Sequence, residues 1–209
     1  MSSNVAATED VSPCCGSSGK TRVFAGQEFG LVSQREARVD GVQVADEDGW
    51  PHLAAVAGVD RALWRSVSAL ALVRVGPAYP NWASLREEEH YRFDLALGPG
   101  AMVLFPNRPR HRIRVHVPFG PSWTSGGSWE GRLVTQEASP RIGWNAAVLA
   151  GVDLARCRHG VFFDIGAAMH MTSYRLISRL EGSSAGSTQQ IYRSTDLSLF
   201  FTVGYAFLP

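Results

Sequence analysis

The clearest pattern in the chain is its last one. From Asp196 to Pro209 the sequence reads D-L-S-L-F-F-T-V-G-Y-A-F-L-P. Leu197, Leu199, Phe201, Val203, Tyr205 and Phe207 are apolar or aromatic. Asp196, Ser198, Thr202, Gly204 and Ala206 between them are small or polar, with Phe200 the one large exception. A period of two held over this length is a strand signature. One unbroken apolar face is what a barrel strand crossing a membrane requires.

The same alternation recurs upstream. A first strand is expected over Thr21 to Val32. A hairpin follows, with Leu53, Ala55, Ala57 and Val59 going out, a turn at Arg61 to Arg65, and Val67 to Val75 returning. A second runs from Tyr91 to Phe105, turns through P-N-R-P-R at Pro106 to Arg110, and returns from Ile113 to Trp123. Pro118 and Pro121 each remove a ladder donor, so a bulge or early strand end is expected near Pro118. A third pairs Trp144 to Leu154 with Val161 to Met171 across R-C-R-H at Arg156 to His159. The remaining connections are long: Ser33 to Gly49, Gly76 to His90, Thr124 to Arg141 and Ser178 to Ser194, all expected as solvated loops. Eight strands thus alternate between short turns and long loops, with every long connection on one side and both termini on the other. The pattern predicts an all-β, eight-stranded antiparallel up-and-down transmembrane β-barrel over residues 20–209, behind a flexible polar tail at 1–19.

This architecture, with its last strand ending in an aromatic at Phe207, resembles the small eight-stranded bacterial outer-membrane β-barrels, of the type of the OmpA transmembrane domain. Leu208 and Pro209 follow Phe207, a departure from the family's terminal aromatic. The resemblance covers Thr21 to Phe207 and rests on architecture, not on an invariant motif. It implies a place in the cell outer membrane, contact with outer-membrane lipid, assembly by the barrel-assembly machinery through the C-terminal strand, and a monomer. It implies no cofactor. Met1 to Lys20 lacks the basic start and apolar core of a secretory signal. Either the signal lies upstream of Met1 or has been removed, or the barrel is a soluble one; the regularity of the strands favours the first.

Composition narrows the field. No apolar run approaches the ~20 residues of a membrane helix, which excludes a helical membrane protein but not a barrel. A net charge of +1 gives no footprint for nucleic acid. Cys14, Cys15 and Cys157 have no metal-ligand spacing, and His111 and His116, five apart on one strand, point to opposite faces. No metal site is expected.

Charge does change the picture. Arg22, Arg74, Arg92, Arg112 and Arg114 share the inward parity with Glu28, Asp60, Asp94, Asp153 and Asp164. An eight-stranded barrel has a lumen just wide enough for side chains to fill, so these ten are expected to pair as a packed lumen charge network. On the outward parity, Tyr91, Trp123 and Trp144 are expected at the loop-side lipid interface, and Phe105, Tyr205 and Phe207 at the turn-side one.

The catalytic candidate is H-M-T-S at His170 to Ser173. It is similar to the His and Ser pair of lipid A deacylases, which are also eight-stranded barrels. There the two residues stand two apart on one face. Here Thr172 holds that place and Ser173 points away, and a threonine without a strong base is a poor nucleophile. The favoured function is a non-enzymatic outer-membrane barrel with a structural, surface or small-solute role. A lipid-modifying barrel enzyme and a soluble lipocalin-like barrel for an apolar ligand remain the alternatives.

Overall fold

In the computed structural model the described residues are 20–47, 50–64, 66–78, 90–105, 108–130, 134–156, 158–180 and 187–209. The expected tail at 1–19, the three cysteines and the acidic run Glu87 to Glu89 lie outside them. The strands are β1 (Thr21–Val39), β2 (Val42–Glu47), β3 (Trp50–Trp64), β4 (Val67–Ala78), β5 (His90–Phe105), β6 (Arg108–His116), β7 (Phe119–Thr124), β8 (Gly127–Glu130), β9 (Val134–Ala138), β10 (Arg141–Arg156), β11 (His159–Leu180) and β12 (Thr188–Phe207).

These strands close into one ring of eight antiparallel staves. The order is β1, β3, β4, β5, then β6 with β7 as one interrupted stave, β10, β11 and β12, which returns to β1. The closing seam runs from Val23 opposite Phe207 to Val39 opposite Tyr192. The interrupted stave breaks at Val117 and Pro118, where proline cannot donate. The ladder is bridged there by Val117 N–H to Pro99 O and by Ala147 N–H to Pro118 O. The break expected from the sequence is therefore present.

Parity divides the wall as the alternation requires. Leu95, Val115, Val148, Phe163 and Phe201 are exposed on the outer face, while Asp94, Arg114, Asp153 and Asp164 are buried inside. Phe29 and Phe201 stand opposite each other across the seam and stack with centroids 5.4 Å apart. Gln27, which interrupts the outward apolar series of β1, spends its side-chain amide on Ala54 O at 3.0 Å. A polar group on an apolar face is tolerable when its donor is satisfied.

All four expected long loops are in part strand, the Gly76 to His90 one only at its ends. β1 continues to Val39 and turns back into β2, β8 and β9 form a hairpin, and β11 and β12 extend to Leu180 and from Thr188. The reason is solvent. Strands that rise above an apolar band have water on their outer face, so no apolar parity marks them. The turn between β1 and β2 has a recognisable signal: Asp40 and Gly41 both have positive φ, 49° and 88°, the Asp-Gly pattern of a two-residue hairpin turn. At the other end, the expected turn at Arg61 to Arg65 is shorter, since β3 runs to Trp64 with a register shift between Ala62 and Trp64.

Val148 lies near the middle of β10 and faces outward. Val148→Arg should cost about 2–4 kcal/mol of stability in a bilayer. Urea unfolding in lipid vesicles measures it; an unchanged midpoint would mean that this face does not meet lipid.

Candidate functional site in the lumen

The inward residues form two charged tiers. The turn-side tier contains Arg22 from β1, Asp60 from β3, Arg112, Arg114 and His116 from β6, Asp153 from β10 and Asp164 from β11. Asp153 forms ion pairs with Arg22, Nε at 3.0 Å, and with Arg114, Nη2 at 3.0 Å, and Arg114 also reaches Asp164 at 2.7 Å. Arg112 is buried in register opposite Asp153. His116 Nε2 sits 3.3 Å from Asp60 and 2.9 Å from Ser68 Oγ. The alternation places these side chains here: Arg112, Arg114 and His116 stand two residues apart on β6, and Asp60, Asp153 and Asp164 each stand two from an inward glycine.

The loop-side tier contains Glu28, His52, Arg74, Arg92, Asp94 and His170. Glu28 accepts from Arg74 Nε at 3.0 Å, lies 2.6 Å from His52 Nε2, and accepts from Thr202 Oγ1 at 3.4 Å. Asp94 accepts from Ser122 Oγ at 2.5 Å and pairs with Arg92 at 3.3 Å and His170 at 3.0 Å. Arg92 and His52 approach to 3.3 Å, which joins the two carboxylate centres into one network.

Between and around the tiers lies an apolar cluster that includes Phe24, Val56, Leu70, Leu72, Leu149, Phe162 and Phe200. It faces inward on the parity expected to be polar. The aromatic members serve the charges. Arg22 lies over the rings of Phe24 and Phe162 at 4.0 and 4.5 Å, and Arg74 over Phe200 at 5.2 Å. A guanidinium against a ring face gains attraction where few acceptors are in reach.

Two glycines make the fit possible. A Cβ on Gly100 would collide with the His116 ring, and one on Gly151 with the Asp164 carboxylate. Each lies across the ladder from the large side chain it admits. A cavity of about 30 Å³ opens at the loop end, lined by residues that include His52, Arg92, Thr124, Arg141, His170 and Asp196. That is room for little more than a water molecule.

All ten residues expected in the charge network are inside and divide between the tiers, six on the turn side and four on the loop side. Beyond those ten, His52, His116, Ser68, Ser122, Asn145 and Arg141 are also buried on the inward face. Two steps back along the parity of Ala54, Val56 and Asp60 would have found His52. Of the interface aromatics, Tyr91, Phe105, Trp123, Trp144 and Tyr205 are exposed outward. Phe207 is half-buried against His159, with centroids 5.4 Å apart, and His159 also hydrogen-bonds the Tyr205 hydroxyl. Trp64, assigned to a turn by the sequence pattern, is a further exposed aromatic on the turn side.

The catalytic alternative has specific partners. His170 is buried against Asp94, and Thr172 Oγ1 is 3.0 Å from Ser194 Oγ, not from the imidazole. Ser173 points outward. Among the described residues no three His, Cys, Asp or Glu gather as a metal-ligand set.

No family model matches the chain, and no curated protein matches it in sequence. Solved structures do match in shape. The chain is similar to the outer membrane protein OprG from Pseudomonas aeruginosa, with TM-score 0.53 and 9% identity, over 90% of this chain and 94% of that one. Neisserial surface protein A matches with TM-score 0.43 and 12% identity over 91% and 97%. Ail, the attachment invasion locus protein of Yersinia pestis, matches with TM-score 0.39 and 11% identity over 88% and 98%. The chain has the fold of the eight-stranded outer-membrane β-barrels.

Asp153 serves two arginines, so its loss leaves buried positive charge uncompensated. Asp153→Ala should destabilise the barrel by about 3–5 kcal/mol. Asp164→Ala combined with Arg114→Met should cost less than Asp164→Ala alone, because the pair is removed together while Asp153 keeps Arg22. Equilibrium unfolding in vesicles compares them; a double variant weaker than the single would contradict the pairing.

Proposed function

We propose that the chain is a non-enzymatic outer-membrane β-barrel protein whose wall and loop-side hairpins, not its lumen, carry its role: a structural or surface protein, with at most a narrow route for small solutes. The observation behind this reading is the packed interior. Two ion-pair tiers and an apolar cluster leave a loop-end cavity of about 30 Å³, too small for a sugar or an amino acid. The outward apolar face and the aromatics at both rims support the membrane placement. The likeness to an outer membrane protein in fold supports it too. A lipocalin-like use is disfavoured because an apolar ligand would have to displace buried ion pairs. Against a lipid-modifying activity stand the burial of His170 in the lumen and the engagement of Thr172 with Ser194.

Expression in a Gram-negative host with an added signal sequence, followed by membrane fractionation and heat-modifiable gel mobility, tests the placement. A soluble product would count against it. In planar bilayers the native protein should conduct weakly or not at all. Arg74→Ala with Arg92→Ala, which removes the bulk of the loop-side tier, should raise the conductance several-fold. Large, steady native channels would show that the lumen is a pore.

A further inference from the structure

The two halves of the loop-side rim differ in kind. On β5, β7 and β10 the outward residues near the top of the wall are apolar or aromatic: Tyr91, Trp123, Ile142 and, one position lower, Trp144. On β11, β12 and β1 they are cationic. Arg38 and Arg193 stand directly opposite each other across the closing seam, and Arg193 lies opposite Ser173 on the other side, diagonal to Arg175. All three arginines are exposed on the outer face, in phase with exposed Leu197 and Met171 below them.

Strand geometry gives their height. The outward apolar run on β11 extends from Val161 to Met171. Ten residue steps at about 3.3 Å, tilted by about 40°, rise roughly 25 Å, the height of a barrel's apolar band. Arg193, level with Ser173, is two steps above Met171, or about 5 Å higher. Arg175 is two steps further, about 10 Å above the band. That is the depth of lipid headgroups.

Like charges directly opposite on adjacent strands repel. One of this pair is answered within the chain: Glu36 holds the Arg38 guanidinium, with Nη2 to Oε1 at 2.5 Å. Glu137 on β9 lies opposite Ile177, diagonal to Arg175, and Asp40 gives its carboxylate to the Ile191 amide at 3.0 Å. Among the described residues no carboxylate forms an ion pair with Arg193 or Arg175. The guanidinium fork matches a phosphate, and its long stem can lie along the apolar wall below.

We infer that this rim on β1, β12 and β11 is a binding surface for the phosphate group of an anionic membrane lipid, seated with its acyl chains on the apolar band and its phosphate between Arg38, Arg193 and Arg175. The inference rests on the membrane reading above. The occupant is a lipid and not a free anion because Arg193 stands one outward position above the Met171–Thr195 pair at the top of the apolar band, so one amphipathic molecule reaches both.

The full chain is refolded into phosphatidylcholine nanodiscs that contain a minor fraction of phosphatidic acid, then exchanged into detergent, and the retained lipids are counted by native mass spectrometry. The native protein should retain phosphatidic acid over phosphatidylcholine by about tenfold, the scale of one charge-assisted contact. Arg38→Gln with Arg193→Gln should remove most of that preference. Arg156→Gln, an exposed arginine at the turn-side end of β10, should leave it intact. Equal retention by the double variant, equal loss in Arg156→Gln, or displacement of the lipid by inorganic phosphate at comparable concentration would each overturn the inference. Failure to enter nanodiscs would overturn the membrane reading itself; insertion without lipid preference would overturn the inference alone.

Discussion

A sheet placed in hydrocarbon can leave no edge unpaired, because each orphaned amide or carbonyl costs several kcal/mol there. The other features of this chain follow from meeting that demand. The seam between β1 and β12 pairs the first strand with the last over sixteen register positions, with one irregularity between Val32 and Gln34. The terminal strand is thus long and regular because it must close against the first. Its period of two is the most legible in the chain for the same reason. Where the ladder is interrupted, at Val117 and Pro118, bonds from both neighbouring staves cover the gap.

Closure by eight staves then fixes the interior. The lumen is too narrow to hold bulk water and too wide to leave empty, so side chains must fill it. The inward parity answers with long guanidinium groups, carboxylates and aromatic rings, and with small residues where two large ones meet. Gly100 before His116 and Gly151 before Asp164 are the sharpest cases. Arg22 is held by one carboxylate and two rings, an arrangement that uses ring faces where hydrogen-bond acceptors are few.

The sequence made the wall legible because alternation is enforced wherever one face meets an apolar medium. The strands, the turn side, the break near Pro118 and the inward arginines and acids could all be read from it. Two things could not. Phe24, Leu72, Phe162 and Phe200 share the inward parity with charges, and a two-letter pattern cannot say that they form an apolar layer there; only the register brings them together. The upper parts of β1, β11 and β12 lack an apolar face because water lies on that side, so the pattern that marks a strand is absent by physical necessity. The Asp-Gly pair at Asp40 and Gly41 was the one local sign of a hairpin in that region.

Why charges fill the lumen is a separate question from how they fit. Buried ion pairs add little net stability over well-packed apolar residues. In a soluble domain, burial of apolar groups tells the chain which face is inside. In a bilayer that signal is missing, since lipid tails are as apolar as leucine. A wall apolar on both faces could slip by one residue at almost no cost. In this chain a one-residue slip of β10 would carry Asp153 to the outer face. The same slip of β6 would carry Arg112 and Arg114 there, and an arginine facing lipid costs about 2–4 kcal/mol at the bilayer midplane and less toward the interface. The charged tiers therefore act chiefly through the registers they forbid. That accounts for their position: carboxylates and arginines stand on all eight staves, β12 adding Asp196 at the loop-end cavity and Thr202 to the Glu28 centre from opposite it across the seam.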